Sequence, residues 1–284
     1  MRIIRRIKDM HRLSSDLRKR RRTIGFVPTM GALHDGHLSL IRQARRENNF
    51  VIVSIFVNPT QFAPSEDFNK YPRKLKVDSR LCKNEGVDAI FYPDVQEMYP
   101  KEHKTYVLVE GLSDVLCGKY RPGHFRGVAT VVTKLFNIIQ PDIAYFGQKD
   151  AQQAIIIQQM IQDLNLPLRI RVSPIIREPD GLALSSRNAY LTARQRRAAV
   201  VLPEALRKAR IMVKQRVTDS AKIIRLMHRI IKREKAARIQ YIEIVDLNEL
   251  KPVRLIKDKV LVALAVWIGR TRLIDNIIVK PPKG

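Results

Sequence analysis

The sequence predicts an α/β fold: a doubly wound, mostly parallel sheet over residues 1–175 and a smaller C-terminal α+β domain over 176–284. Three observations carry that reading. Short β-branched or apolar runs recur in the first part and stop at proline; stretches with apolar residues at helical spacing separate them; and the texture changes after Ile175-Ile176. The first run, Gly25-Phe26-Val27, stops at Pro28, and the second, 51–57, stops at Asn58-Pro59. Between them Leu38, Leu40, Ile41 and Ala44 mark one helix face, with Arg42, Arg45, Arg46 and Glu47 outward, so the segment reads as a βαβ unit. A strand over 89–92, a helix over 128–139, a strand over 143–146 and a helix over 151–164 extend the pattern. Beyond 176, helices are expected over 192–216 and 220–237, then strands over 241–245, 260–267 and 273–279.

Of the 284 residues, 45% are hydrophobic and 28% charged, which supports packed cores and excludes wholesale disorder. The longest apolar run, 260–268, is far shorter than the roughly 18 residues a bilayer span needs, so no membrane partner is expected. The basic stretch 18–22 runs into Thr23-Ile24-Gly25-Phe26-Val27-Pro28, too short and too proline-broken for the apolar centre of a secretory signal; a cytoplasmic protein is expected. Cys82 and Cys117 are too few for a disulfide framework or a zinc cage and read as reduced thiols. The net charge of +26 suggests a polyanionic partner, but the excess sits at the ends, +8 over 1–24 and +15 over 177–284 against +3 over 25–176. No nucleic-acid reading module accompanies it, and one Trp, 8 Tyr and 9 Phe leave few rings for stacking bases, so no specific nucleic-acid partner is expected.

The nearly neutral middle carries the chemistry. Pro28-Thr29-Met30-Gly31-Ala32-Leu33-His34-Asp35-Gly36-His37-Leu38 follows the first strand and opens a helix, where a doubly wound sheet presents its ligand crevice. Helix N-terminal amides attract phosphate, and two histidines three apart share one side of the first turn. They can bind nucleotide phosphates or simply face solvent at a capped helix start. Phe56-Val57-Asn58-Pro59-Thr60-Gln61-Phe62 also ends a strand; Asn58 and Gln61 suit hydroxyls and carboxylates, while Asn-Pro alone reads as a turn. In Gly147-Gln148-Lys149-Asp150-Ala151-Gln152-Gln153, Lys149 can reach a phosphate, Asp150 can take a ribose hydroxyl or cap the helix, and Gln153 lies one turn in. Leu184-Ser185-Ser186-Arg187-Asn188, after the turn Glu178-Pro179-Asp180-Gly181, puts two hydroxyls and an arginine on a loop suited to closing over a triphosphate.

Together with Arg121-Pro122-Gly123-His124-Phe125-Arg126-Gly127-Val128, these segments resemble the pantoate–β-alanine ligase family, from about 23 to 188 and more faintly through Arg272-Leu273-Ile274-Asp275-Asn276. That family is similar to class I aminoacyl-tRNA synthetases and other nucleotidylyltransferases, so the resemblance implies a Rossmann-like sheet of the nucleotidylyltransferase type, with the C-terminal domain covering the active site. It implies ATP-dependent condensation of pantoate with β-alanine through pantoyl adenylate, releasing pyrophosphate and AMP. By the family pattern Met30, Gly31, Ala32, Leu33, His34, Asp35, Gly36 and His37 contact ATP, as do Gly147, Gln148, Lys149, Asp150, Ile176, Leu184, Ser185, Ser186 and Arg187. His37 acts as proton donor with His34 as its phosphate-binding companion, and Lys149 and Arg187 join them in catalysis. Gln61 and Gln153 hold pantoate, Gln61 also borders the β-alanine site, and Asp78 is a weaker candidate for positioning Mg2+. Gln148 and Ala151 stand where other members often carry Glu and an aromatic residue; Arg121, His124 and Arg126 line the crevice or face water. The resemblance also implies a homodimer through the first domain. A different nucleotidylyltransferase would share the histidines and the basic loop without requiring the Gln61 and Gln153 pair.

Overall fold

In the computed structural model, which describes residues 1–63 and 68–282, the chain packs as two units. The first comprises Met1–Asp114, Gly118–Gly147 and Ile156–Pro174; the second comprises Val115–Cys117, Gln148–Ile155 and Ile175–Gly284. A linear division near 176 has no place for 115–117 and 148–155, which group with the second unit.

The elements run β1 (Arg2–Ile4), α1 (Ile7–Lys19), β2 (Ile24–Thr29), α2 (Asp35–Glu47), β3 (Phe50–Ile55), α3 (Leu75–Asn84) and β4 (Ala89–Phe91). Then follow α4 (Val95–Met98), α5 (Cys117–Tyr120), α6 (His124–Ile139), β5 (Ile143–Gly147), α7 (Ala151–Asp163) and β6 (Arg169–Ser173). The six strands form one parallel sheet in the order β1-β4-β3-β2-β5-β6. After β2 the chain builds outward through β3 and returns to β2's other side at β5, so the strand order reverses at β2/β5, where ligands gather at the carboxyl ends of such sheets. The core on one side gathers Val27, Ile41, Ala44, Val51, Val53 and Ile90, all fully buried. Phe136 packs edge-on against both Phe26 and Phe146.

Strand β2 does not stop at Pro28. It pairs with β3 through Thr29, while its pairing with β5 covers only Gly25 and Phe26. The sheet has already parted on the β5 side, so proline's missing donor interrupts no ladder there. Helix α6 starts at His124, four residues before the apolar stripe begins, because Gly123 takes the left-handed conformation that turns the chain into it.

In the second unit α8 (Ala193–Ala199), α9 (Val201–Lys214) and α10 (Ser220–Ile231) precede an antiparallel sheet of β7 (Ala237–Val245), β8 (Val260–Ile268) and β9 (Thr271–Val279), ordered β7-β8-β9. Leu202, Leu206, Ile223, Met227, Val262 and Leu264 lie in its core. The helix expected over 192–216 is broken at Val200, because Pro203 cannot donate to the preceding turn. The one expected over 220–237 ends at Ile231, and Ala237 already belongs to β7, nine residues long and paired with β8 along its length. Among the described residues no helix is long and apolar enough to cross a membrane. Both cysteines are free and buried, and burial pushes the Cys82 thiol up to about 12.

Candidate active site

In the first unit the loop between β2 and α2 is built from its main chain. Thr29 Oγ1 donates to the Ser54 carbonyl at 2.7 Å and accepts from Gly31 N at 3.1 Å, tying the loop to β3. Ala32 has φ 51°, a left-handed backbone that costs a non-glycine residue about 1–2 kcal/mol. Asp78, only 2% exposed on α3, offsets that strain: its Oδ2 accepts from Ala32 N at 3.0 Å and its Oδ1 from Leu33 N at 2.9 Å. Met30 and Gly31 also line a cavity of about 180 Å³, bordered by Ile55, Phe56, Arg73 and Asp78.

His34 and His37 then close the N-terminus of α2. His34 is the N-cap, its Nδ1 accepting from Gly36 N at 3.1 Å, while His37 Nδ1 accepts from His34 N at 3.4 Å. A ring that accepts at Nδ1 carries its proton, when neutral, on Nε2, so each imidazole is a donor at its outer nitrogen. The rings lie 4.2 Å apart between centroids, which lets one anionic group meet both. Gly36 is required here, since a Cβ would come within 2.8 Å of His34 Cε1 and displace the cap. Asp35 in the first turn and Arg45 and Arg46 in the last complement the helix dipole.

Gln61 sits in the 3-10 turn Pro59–Gln61 beyond β3, and its Nε2 lies 2.9 Å from Met30 Sδ, so this unit brings the two motifs together. Asn58 is a buried brace. It is 1% exposed and spends its amide internally, Nδ2 donating to Gln61 Oε1 at 3.2 Å and to the Gly127 carbonyl at 3.1 Å, Oδ1 accepting from Thr60 and Tyr99. It thereby fixes the Gln61 amide with Oε1 toward Asn58 and Nε2 toward Met30 Sδ. Burial pushes the Tyr99 phenol up to about 12, which keeps it a donor to Asn58. His124 Nδ1 lies 2.8 Å from the Gln61 carbonyl and Arg121 Nη2 lies 3.4 Å from it, so these two support the loop, while Arg126 is exposed and stacks over Tyr106 at 4.7 Å. Gly147 ends β5 at the same carboxyl edge of the sheet.

The second unit holds the other motifs. Gln148, Lys149 and Asp150 form a 3-10 turn before α7; Lys149 is half-buried, Asp150 exposed and Gln153 half-buried in the helix's first turn. Gln152 is structural: its Oε1 accepts from Cys117 N at 3.0 Å and its Nε2 donates to the Val115 carbonyl at 2.7 Å. Ile176 is exposed and opens a short hairpin in which Glu178 N donates to the Leu182 carbonyl and Leu184 N to the Ile176 carbonyl. Ser185 caps the 3-10 helix Ser186–Tyr190, its Oγ accepting from Arg187 N. Asn188 secures that helix by donating to Glu178 Oε1 at 3.0 Å and to the Ala183 carbonyl at 3.1 Å. Arg196 holds Glu178 at 2.8 Å and Asp180 at 2.6 Å, and its bond keeps the Asp180 carboxyl below the usual range.

Residue patterns miss the groups that hold these loops. Arg177 acts on main chain and on another side chain, so nothing in its spacing marks it; Asn58 and Asp78 are marked as ligand and Mg2+ candidates rather than as braces, Glu178 only as part of a turn, and Asp275-Asn276 falls inside the matched Arg272–Asn276 segment but carries no role there. Among the described residues no cluster of three or more His, Cys, Asp or Glu could hold a metal ion.

A family model described as pantoate-beta-alanine ligase matches residues 2–278. Pantothenate synthetase of Acetivibrio thermocellus is 53% identical over 280 residues, spanning 99% of this chain and 100% of that one. The crystal structure of pantothenate synthetase from Thermus thermophilus superposes with a TM-score of 0.94 at 43% identity, covering 99% of this chain and 100% of that one. Pantoate-beta-alanine ligase from Francisella tularensis, solved with beta-gamma ATP and β-alanine, matches with a TM-score of 0.81 at 38% identity over 98% and 97% of the two chains.

Proposed function

The chain belongs to the pantoate–β-alanine ligase family, and from that premise we propose how its residues divide the chemistry. The enzyme is a ligase that uses ATP to condense pantoate with β-alanine. In the first step the pantoate carboxylate attacks the α-phosphorus of ATP, the bond to the bridging oxygen breaks, and pyrophosphate leaves pantoyl adenylate behind. In the second, the β-alanine amine attacks the acyl carbon, the bond to AMP breaks, and nitrogen loses a proton to give pantothenate. Neither step calls for an enzyme nucleophile. The protein's work is to hold reactants in line and stabilise charge as it moves onto the leaving group, for which one well-placed donor is worth about 3 kcal/mol.

One observation carries this assignment: two imidazoles at the start of α2, each locked through Nδ1 by a backbone amide, present Nε2 donors beside the helix's own N–H groups. We assign His34 to the phosphates and His37 to the oxygen on which pyrophosphate departs, as proton donor. Met30–Leu33, Asp35 and Gly36 contribute main chain to ATP, and Gly147 leaves its backbone open to the nucleotide. Gln148, Lys149, Asp150, Ile176 and Leu184–Arg187 complete nucleotide recognition, with Lys149 and Arg187 neutralising phosphate charge. Gln61 and Gln153 bind pantoate, and Gln61, its amide held by Asn58, also borders β-alanine.

Mg2+ enters with the nucleotide as part of the substrate. Asp78, the carboxylate nearest in sequence terms to such a role, has both oxygens engaged by Ala32 and Leu33 amides, which suits a loop brace better than a resident metal. A cytoplasmic homodimer associating through the first unit completes the proposal, on the strength of the family resemblance.

The deciding experiment is isotope exchange. Labelled pyrophosphate enters ATP when pantoate and Mg2+ are present without β-alanine, and adding β-alanine releases AMP. Products of ADP and phosphate, or exchange indifferent to pantoate, would overturn the reading.

A further inference from the structure

Strand β9 buries two successive polar residues. Asp275 shares a face with Leu273, Ile277 and Val279, three members of the apolar core, and Asn276 follows it; they are 2% and 4% exposed. A strand in an apolar sheet forms as well with valine or threonine at such positions, and burying a carboxylate and an amide is unfavourable unless every polar atom finds a partner. All but one of the partners here lie outside the sheet. Asn276 Nδ2 donates to the carbonyls of Gln148 at 2.9 Å and Lys149 at 3.0 Å, and its Oδ1 accepts from Gln148 Nε2 at 3.3 Å. Asp275 takes Arg177 on both oxygens, Nη1 at 2.7 Å and Nη2 at 2.9 Å, and its Oδ1 also accepts from Asn276 N at 2.7 Å. Arg177 passes the constraint on by donating to the Gly181 carbonyl at 2.9 Å across the hairpin that leads into Ser185–Asn188.

We propose that Asp275 and Asn276 are positioning residues for ATP, one dipeptide that sets two phosphate-binding segments in register, the Lys149 turn through Asn276 and the Arg187 loop through Asp275 and Arg177. The inference rests on the assignment of Lys149 and Arg187 to the nucleotide phosphates. Asparagine suits the task because one nitrogen supplies two donors to two successive carbonyls while the oxygen takes a third bond. Aspartate, equal in size, would set a negative oxygen against those carbonyls. Because the contacts are to main chain, moving Asn276 moves the backbone that carries Lys149 rather than any single side chain, and a shift of about 1 Å in a reacting group can cost on the order of a hundredfold in rate.

The test is a double-mutant cycle on the intact enzyme, reading pantoate-dependent pyrophosphate exchange, the KM for ATP and the urea midpoint of the same samples. Asn276→Ala and Asn276→Asp are expected to lower kcat or raise the KM for ATP by about tenfold or more, with the KM for β-alanine in the full reaction changing less than about twofold. In a Lys149→Ala background the further loss from Asn276→Ala falls below about twofold, because no ammonium is left to misplace. Asp275→Asn behaves likewise toward Arg187→Ala. Should Asn276→Ala not fold, Asn276→Ser, which keeps one donor, enters the same cycle. Equal losses in both backgrounds, or losses that track only the folded fraction, would sink the positioning role while leaving the phosphate assignment intact. Near-parental exchange by Lys149→Ala would instead remove the phosphate assignment, and the inference with it.

Discussion

The two regions proposed to bind phosphate are held by different means. The Met30–His37 loop is braced by hydrogen bonds from its own main chain: Asp78 takes two amides, Thr29 a third, and the two histidines cap the helix by accepting two more. The Lys149 turn and the Arg187 loop are held by side chains that reach across the second unit, Asn276 to carbonyls, Asp275 to Arg177, and Arg196 to Glu178 and Asp180. Asp78 and Asp275 are equally buried at 2%, yet one answers N–H groups that any residue but proline supplies and the other answers a guanidinium that one substitution deletes. A brace on main-chain amides leaves no partner side chain to exchange, whereas the Asp275–Arg177 pair can be released and restored by paired substitutions.

The largest effects should be common to both regions. His37→Ala and Lys149→Ala are each expected to lower the turnover of adenylate formation about 100- to 1,000-fold in single-turnover assays, with little change in thermal midpoint. A loss of less than about tenfold in either would remove that region from phosphate binding. The next effect separates the regions by stability. Arg177→Ala leaves Asp275, with a side chain 1% exposed, without its cation and should cost up to about 3 kcal/mol by urea unfolding, less to the extent that water enters where Arg177, itself 28% exposed, had been. Adding Asp275→Asn should restore more than half of that loss, because the stranded charge is then gone.

Asp78→Asn should cost about 2 kcal/mol, since one loop amide would face an NH2 group. Here no partner change can compensate. Only Ala32→Gly, by relieving the left-handed backbone at φ 51°, should return about 1 kcal/mol in that background. Full rescue of Asp78→Asn by a side-chain substitution would erase the contrast.

The smallest effect is in pH. Arg196 holds the Asp180 carboxyl below its ordinary range, so the folded state favours the ionised form. Its contribution is complete above the unfolded value of about 3.9 and is lost as pH falls through the lower folded value. The thermal midpoints of parent and Arg196→Ala should therefore differ at neutral pH and converge below about pH 4. A constant difference down to pH 3 would show that the bond to Asp180 adds nothing to the hairpin.

The central strands were legible because β2 to β5 are buried on both faces and read as short apolar runs. The edge strands β1 and β6, largely exposed and written as Arg-Ile-Ile and Arg-Ile-Arg-Val-Ser, show no such run, and only pairing with β4 and β5 makes them strands. The break at Val200 and the early end of α10 at Ile231 likewise answer to Pro203 and to the pairing of β7 with β8, neither of which a stripe of apolar residues encodes.

At the candidate site the difference lies in what each group does. Residues proposed to meet small molecules are chosen for chemistry, and chemistry is visible locally: two histidines around a glycine, a lysine after a strand's end, a serine pair beside an arginine. The sequence by itself offered those, together with the alternation of strand and helix that sets the histidines and the lysine after the carboxyl ends of β2 and β5. Asn58 reads like a ligand group and Asp78 like a Mg2+ candidate, and both are buried braces, while Asp275 and Asn276 carry no role in the sequence reading and hold the loops. Their partners lie 46 residues away for Asp78, 98 for Asp275 and more than 120 for Asn276, and most are backbone groups that every sequence possesses. Only the tertiary structure decided those pairings, because a hydrogen bond to main chain depends on where the chain runs and leaves no mark on which residue the chain carries there.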